Sequence, residues 1–206
     1  MNYKTEQEKF WASSEWGRDY IQRNGTDLIK NNINFFNDII KNCNGVNSII
    51  EFGANIGLNL HALDKLFNNI SLDAIEINNQ AVEELKKFDF INQVFHESIL
   101  DFSSEKKWDL VLIKTVLIHI NPEYLDTVYE KLYQASDKYI LIAEYYNPSP
   151  VTINYRGHEN RLFKRDFAGE MLDKYPDLEL IDYKFIYHKD NNFPQDDITW
   201  FLLKKK

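Results

Sequence analysis

The sequence predicts an α/β fold: an open, mostly parallel sheet of seven strands, preceded by helices and closed by an antiparallel hairpin. Three observations predict it. Apolar strand-like runs alternate with helical patterns from residue 46 onward, the signature of repeated βαβ units. The run Trp108-Asp109-Leu110-Val111-Leu112-Ile113-Lys114 is almost continuously apolar, as a strand buried on both faces must be. The last two runs, Leu178–Tyr187 and Ile198–Leu203, are joined by the polar stretch 188–197, as in a hairpin.

The elements follow in order. Residues 1–45 read as helical: an aromatic segment with Phe10, Trp11 and Trp16 near Gly17, Tyr20 and Arg23, then an amphipathic run through Leu28, Ile29, Ile33, Phe36 and Ile40. The aromatic segment has two compatible readings, a cover over core residues and a flap over a bound ligand, with Tyr20 and Arg23 reaching polar groups. Ser48–Phe52 is the first strand; a turn at Gly53 and Gly57 leads to a helix through Leu60, Leu63 and Leu66. Ser71–Ile77 is the second strand, followed by a helix over Asn79–Lys87. Phe90–His96 is the third, Trp108–Lys114 the fourth and Lys138–Glu144 the fifth, with a helix over Pro122–Ala135 before the last of these. Residues 151–166 read as an irregular loop, and Asp166–Tyr175 as a helix stopped by Pro176. No repeat or long linker divides the chain. We therefore expect one domain over 1–206: a helical cap at 1–45, a ligand-binding core at 46–147, and a loop, helix and closing hairpin at 148–206.

The chemistry concentrates on the first turn, Glu51-Phe52-Gly53-Ala54-Asn55-Ile56-Gly57. Glycines there let a backbone pass close to a bound molecule. The second strand ends on Glu76, roughly 20–25 residues beyond, the offset at which a nucleotide-binding βαβ unit sets a carboxylate on ribose hydroxyls. Three features disfavour a dinucleotide. The turn lacks the third glycine of that fingerprint, it carries no basic residue for a diphosphate, and Glu51 would repel one. A ribose diol, no phosphate and a positive centre together describe S-adenosylmethionine.

Other candidate groups sit at the carboxyl ends of the later strands, where ligands bind in such sheets. Asp101 follows the third strand, among the apolar Ile99, Leu100 and Phe102. Lys114 could contact cofactor or substrate. His119 could act as a general base, stack on the adenine or cap its turn. Glu144 and Tyr145 join His119 and His158 as candidate proton acceptors. Arg156, His158, Arg161, Lys164 and Arg165 gather positive charge suited to a carboxylate or phosphate, and mark 151–166 as the candidate acceptor loop.

Composition narrows the field. The chain has 206 residues and a formal net charge of −8, which disfavours broad binding to nucleic-acid phosphates. One cysteine, Cys43, excludes an intrachain disulfide and fits a reducing cytoplasm. No apolar run is long enough to insert in a membrane, no residues have metal-ligand spacing, and nothing sets the oligomeric state.

On its Glu-x-Gly-x-x-x-Gly turn and second acid, the chain resembles the Rossmann-like class I S-adenosylmethionine-dependent methyltransferases. The resemblance implies that Glu51, Gly53, Asn55 and Gly57 hold the methionine end. It implies that Glu76 holds the ribose and that the stretch after the third strand meets the adenine, where Asp101 could accept from the exocyclic amine and Ile99, Leu100 or Phe102 cover the ring, with Ile77, Ser98, Tyr20, Arg23, Lys114 and His119 completing the cofactor shell. Over its whole length the chain is also similar to the family of pseudaminic acid biosynthesis-associated methylases. The similarity rests on Phe10-Trp11-Ala12, Gly17-Arg18-Asp19-Tyr20-Ile21, Glu51–Leu60, Val116–Pro122, Ala143–Pro148, Tyr155-Arg156-Gly157-His158, Arg161–Glu170 and Phe193–Trp200. It implies methylation of a nonulosonic acid sugar, its nucleotide-activated form or a glycan, with Tyr146, Arg156 and Arg161 at the acceptor and His119, Tyr145 and His158 as catalytic candidates. Two alternatives stay open: a methyltransferase acting on another small molecule or protein, and a non-catalytic module that binds S-adenosylmethionine.

Overall fold

The computed structural model describes residues 2–13, 27–155 and 158–206, with the side chains of residues 27, 155 and 158–160 outside that description. The chain forms two compact units, Met1–Ser103 and Ser104–Lys206.

The first unit contains α1 (Glu6–Ala12), α2 (Asp27–Ile40), β1 (Ser48–Phe52), α3 (Leu58–Leu66), β2 (Ser71–Glu76), α4 (Asn79–Leu85) and β3 (Ile91–His96). Helix α1 starts on a capping box: the Thr5 hydroxyl accepts from the Glu8 N–H, and the Glu8 carboxylate accepts from the Thr5 N–H. In α2, Phe35, Phe36 and Ile39 fall on one face and are buried, and the helix packs against α3. Strands β1 and β2 pair in parallel from Ser48↔Ser71 to Phe52↔Ile75, and β2 pairs in parallel with β3. After their first residues β1 and β2 are buried throughout, as strands covered on both faces require. Acidic side chains fall inside as well: Asp73 is fully buried, with the Asn92 amide donating to it at 3.0 Å.

The second unit contains β4 (Trp108–Lys114), α5 (Leu125–Ala135), β5 (Ser136–Glu144), β6 (Val151–Tyr155), β7 (His158–Lys164), α6 (Phe167–Lys174), β8 (Leu178–Phe185) and β9 (Thr199–Lys205). Two 3-10 turns, Leu117–His119 and Pro122–Tyr124, precede α5. Strands β4 and β5 are parallel, with Leu110 opposite Tyr139 and Lys114 opposite Ala143. Strand β9 is antiparallel to β5 on one side and to β8 on the other, so β9 is the reversed strand among β4, β5, β8 and β9. Trp108, Trp200 and Phe167 are among the largest fully buried side chains.

The seven-stranded sheet has the order β3-β2-β1-β4-β5-β9-β8, so the predicted α/β architecture is present. Three expectations change. Residues 151–166 are not an irregular loop: β6 and β7 form a separate antiparallel pair, from Val151↔Lys164 to Tyr155↔His158. Charged residues obscured the pattern in this stretch, yet Leu162 and Phe163 are buried. The 1–45 segment is not helical throughout, since among its described residues only Glu6–Ala12 and Asp27–Ile40 are helix. The helix expected at Pro122 opens as a 3-10 turn, because Asn121 caps it by accepting from the Glu123 N–H at 3.1 Å. No helix among the described residues is long and apolar enough to cross a membrane.

Candidate functional site

In the first unit the site is built by the turn between β1 and α3. Gly53, Asn55 and Gly57 all have positive φ, at 78°, 48° and 80°. The left-handed region suits glycine and tolerates asparagine, so the residue types match the backbone that the turn needs. The turn hangs on β2: Gly53 and Ala54 donate their N–H groups to the Ile75 carbonyl at 2.9 and 3.0 Å. The Asn55 N–H then donates to Glu76 Oε2 at 2.7 Å, while the Asn78 N–H donates to Glu76 Oε1 at the same distance. Glu76 is 8% exposed, and burial raises its carboxyl above the usual range against the pull of these amides. The carboxylate keeps acceptor capacity for a further donor.

Glu51 lies under the turn, only 1% exposed, with Oε1 accepting from the Asn59 amide of α3 at 2.6 Å. Gly57 has a packing reason of its own: a Cβ there would come within 2.8 Å of Leu85 Cδ2 on α4. Ile77 is half-buried beyond β2. Past β3, Ser98 and Ile99 are buried, and the Ser98 hydroxyl donates to Glu8 of α1 while accepting from the Leu100 N–H at 3.0 Å. Asp101 is exposed and paired with Lys4 at 2.5 Å, so its carboxylate already has a cation beside it.

In the second unit the chain leaves β4 at the half-buried Lys114 and bends at Thr115, whose φ is 55°. A β-branched residue in that region stores strain. It is held by the Thr115 N–H donating to the Ala143 carbonyl at 2.9 Å. The bend aims the next amides at Glu144, whose Oε1 accepts from the Val116 and Leu117 N–H groups at 2.8 and 2.7 Å. Glu144 Oε2 is buried and has no partner among the described residues. Burial pushes this carboxyl up to about 8.

His119 Nδ1 lies 2.7 Å from the Arg161 carbonyl on β7. A carbonyl only accepts, so Nδ1 carries the proton and Nε2 is the unprotonated nitrogen. Burial holds this imidazole down at about 4, so it is neutral near pH 7. Tyr145 is half-buried with the Lys164 ammonium 5.0 Å from its ring centroid. Tyr146 is exposed and bridges to Arg165 through the backbone.

No protein-family model and no curated protein sequence matches the chain. Solved structures match its fold. The Burkholderia thailandensis 1,6-didemethyltoxoflavin-N1-methyltransferase, solved with bound 1,6-didemethyltoxoflavin and S-adenosylhomocysteine, gives a TM-score of 0.69 at 11% identity. That match covers 97% of this chain and 87% of the other. The plantazolicin methyltransferase, solved with S-adenosylhomocysteine, gives 0.67 at 15% identity, covering 97% and 94%. The magnesium protoporphyrin IX methyltransferase of Synechocystis PCC 6803, solved with S-adenosylmethionine, gives 0.66 at 11% identity over all of both chains. The fold is that of class I methyltransferases.

On this methyltransferase fold the first unit joins the turn of Gly53, Asn55 and Gly57 to Glu76, which Ile77 follows in the chain, and ties Glu51 to the helix that the turn opens. The second unit joins His119 to Arg161, and Glu144 to the turn that carries His119. Tyr20, Arg23 and Arg156 lie outside the described residues, as does the side chain of His158. Sequence reasoning missed Glu8 and Asn78. The first carried a readable signal, the Thr5-x-x-Glu8 capping box. Asn78 caps α4, accepting from the Gln80 and Ala81 N–H groups, and donates its amide to the Trp11 and Ser13 carbonyls at 3.0 and 3.1 Å. That second role is legible only in space.

Proposed function

We propose that the protein is an S-adenosylmethionine-dependent methyltransferase of the cytoplasm. The observation that carries this reading is Glu76, a buried carboxylate fixed by two backbone amides at the lip of a glycine turn. Such a carboxylate accepts hydrogen bonds from a vicinal diol, and the turn offers no basic side chain for a phosphate. The residues present therefore fit a nucleoside without phosphates. When bound, S-adenosylmethionine supplies an activated methyl group on sulfonium sulfur.

The chain's own work is to hold, orient and deprotonate. Glu76 takes the ribose, Ile77 and Ile99 offer apolar surface to the adenine, and Glu51 with the Gly53–Gly57 turn sets the methionine end. Lys114 and His119, with Tyr20 and Arg23, complete the proposed cofactor shell. An acceptor hydroxyl or amine must lose a proton, and His119, Tyr145, His158 and Glu144 are the groups proposed for it. A neutral imidazole with its proton fixed on Nδ1 takes a proton on Nε2, although its low basicity makes it a weak base.

We take the acceptor to be a nonulosonic acid sugar, its nucleotide-activated form or a glycan. The sequence resemblance supports this, as does the positive charge of Arg156 and Arg161, which suits the acceptor's carboxylate, and Tyr146 is proposed to share in holding the acceptor. The cytoplasmic assignment draws support from Cys43, the single cysteine of the sequence, which leaves no intrachain disulfide.

Calorimetry with S-adenosylhomocysteine tests the cofactor, and Glu76→Gln tests its anchor. The variant should bind about 10–100-fold more weakly, the worth of charge-assisted hydrogen bonds to a buried ligand. Undiminished affinity removes the ribose role, and absence of heat with the parent protein refutes the reading. Transfer of labelled methyl to a nucleotide-activated nonulosonic acid then checks the acceptor.

A further inference from the structure

Helix α1 is tied to the ends of both β2 and β3. Glu8 stands in its first turn and is only 7% exposed. Its Oε2 accepts from the Lys4 and Thr5 N–H groups at 2.6 and 2.9 Å, as a capping box requires. Its Oε1 does something a capping box does not require: it accepts the hydroxyl of Ser98, 90 residues away. Ser98 is in turn the hub of its own loop. Its hydroxyl accepts from the Leu100 N–H, and its carbonyl accepts from the Asp101 and Phe102 N–H groups, both at 3.0 Å. Lys4 adds a second tie, donating to the Leu100 carbonyl at 3.3 Å and pairing with Asp101. At the far end of the helix, Asn78 donates to the Trp11 and Ser13 carbonyls, and the Asn78 N–H is held by Glu76.

We infer that Glu8 is a positioning residue for nucleoside binding: by holding the Ser98 hydroxyl it fixes the loop 97–102 in the shape that receives the base, and it couples the docking of α1 to the ligand. The ligand class rests on the function proposed above. The coupling has a physical basis. A surface carboxylate suffices to cap a helix, whereas this one is buried and its second oxygen serves a distant loop. Without that acceptor the Ser98 hydroxyl is left without its partner in a buried place, and the loop must rearrange to satisfy it.

Glu8→Gln separates the two roles. Glutamine at this position still completes a capping box. With its oxygen spent on the cap it presents an NH2 group, a donor, to Ser98, whose O–H then loses the acceptor that Glu8 supplied. We expect S-adenosylhomocysteine and adenosine alone both to bind about tenfold more weakly to the variant in calorimetry, with helix content unchanged by circular dichroism. Equal loss for both ligands assigns the effect to the nucleoside rather than to the methionine end. Affinity equal to that of the parent for either ligand overturns the inference. A second measurement needs no variant: in hydrogen exchange of the parent protein, added S-adenosylhomocysteine should protect the amides of 98–102 and of α1 together. Protection of the loop without the helix overturns the coupling. A parent protein that binds neither ligand overturns the methyltransferase reading, and this inference with it.

Discussion

Glu144 shows how one side chain's surroundings set its chemistry. Two amides hold one oxygen, the other is buried without a partner among the described residues, and the cost of burial outweighs the pull of the backbone amides and of the Lys114 charge. Its carboxyl is raised from an ordinary 4.5 to about 8. Below 4.5 the folded and unfolded chains both carry the proton. Between 4.5 and about 8 the folded chain keeps a proton that the unfolded chain has lost, so rising pH favours unfolding across this window and no further above it. Glu144→Gln should flatten that decline. The parent should lose stability relative to the variant, by about a few kcal/mol in all, as thermal melts move from pH 5 to pH 9. Parallel pH profiles would show that this group does not titrate differently in the two states. The residue was named from its place at the end of the fifth strand-like run. Its burial was not legible, because it comes from a turn that closes on it after the strained Thr115.

At the scale of elements, helices and strands are held by a few residues acting twice. Asn78 caps α4 and also fastens α1. Asn78→Ala should therefore cost more than the usual loss of about 1 kcal/mol for a helix cap. In urea denaturation we expect about 2 kcal/mol, since two further hydrogen bonds go with it. A loss well under 1 kcal/mol would show that the ties to Trp11 and Ser13 add nothing. The elements from β1 to β5 were largely readable, because strands covered on both faces carry long apolar runs and their helices a clear period. The β6/β7 pair was not. Its alternation is short and interrupted by arginine and lysine, and its burial depends on where Leu162 and Phe163 come to rest.

At the scale of the molecule, strand order creates an edge. Strand β8 ends the sheet and carries Tyr183, Phe185 and, just beyond, Tyr187, which are 62%, 55% and 47% exposed. An exposed apolar edge strand invites pairing with other chains, and a lysine is a natural way to blunt one. Phe185→Lys should lower light scattering in concentrated samples while shifting stability by no more than about 0.5 kcal/mol. Unchanged scattering would show that the net charge of −8 already keeps copies apart.

The amino-acid order by itself determined the succession of strands and helices, the glycine turn and the acid that follows it. These are local matters: periodicity, the few residue types that accept a left-handed backbone, and a fixed number of residues between one strand end and the next. Only the tertiary structure decided which of those groups are buried and what they hold. Glu8 and Ser98 stand 90 positions apart in the chain, and nothing in either neighbourhood announces the other. His119 has its proton placed by a carbonyl on a strand that the sequence hides. Burial and partnership are properties of packing, and packing joins residues that the chain keeps far apart.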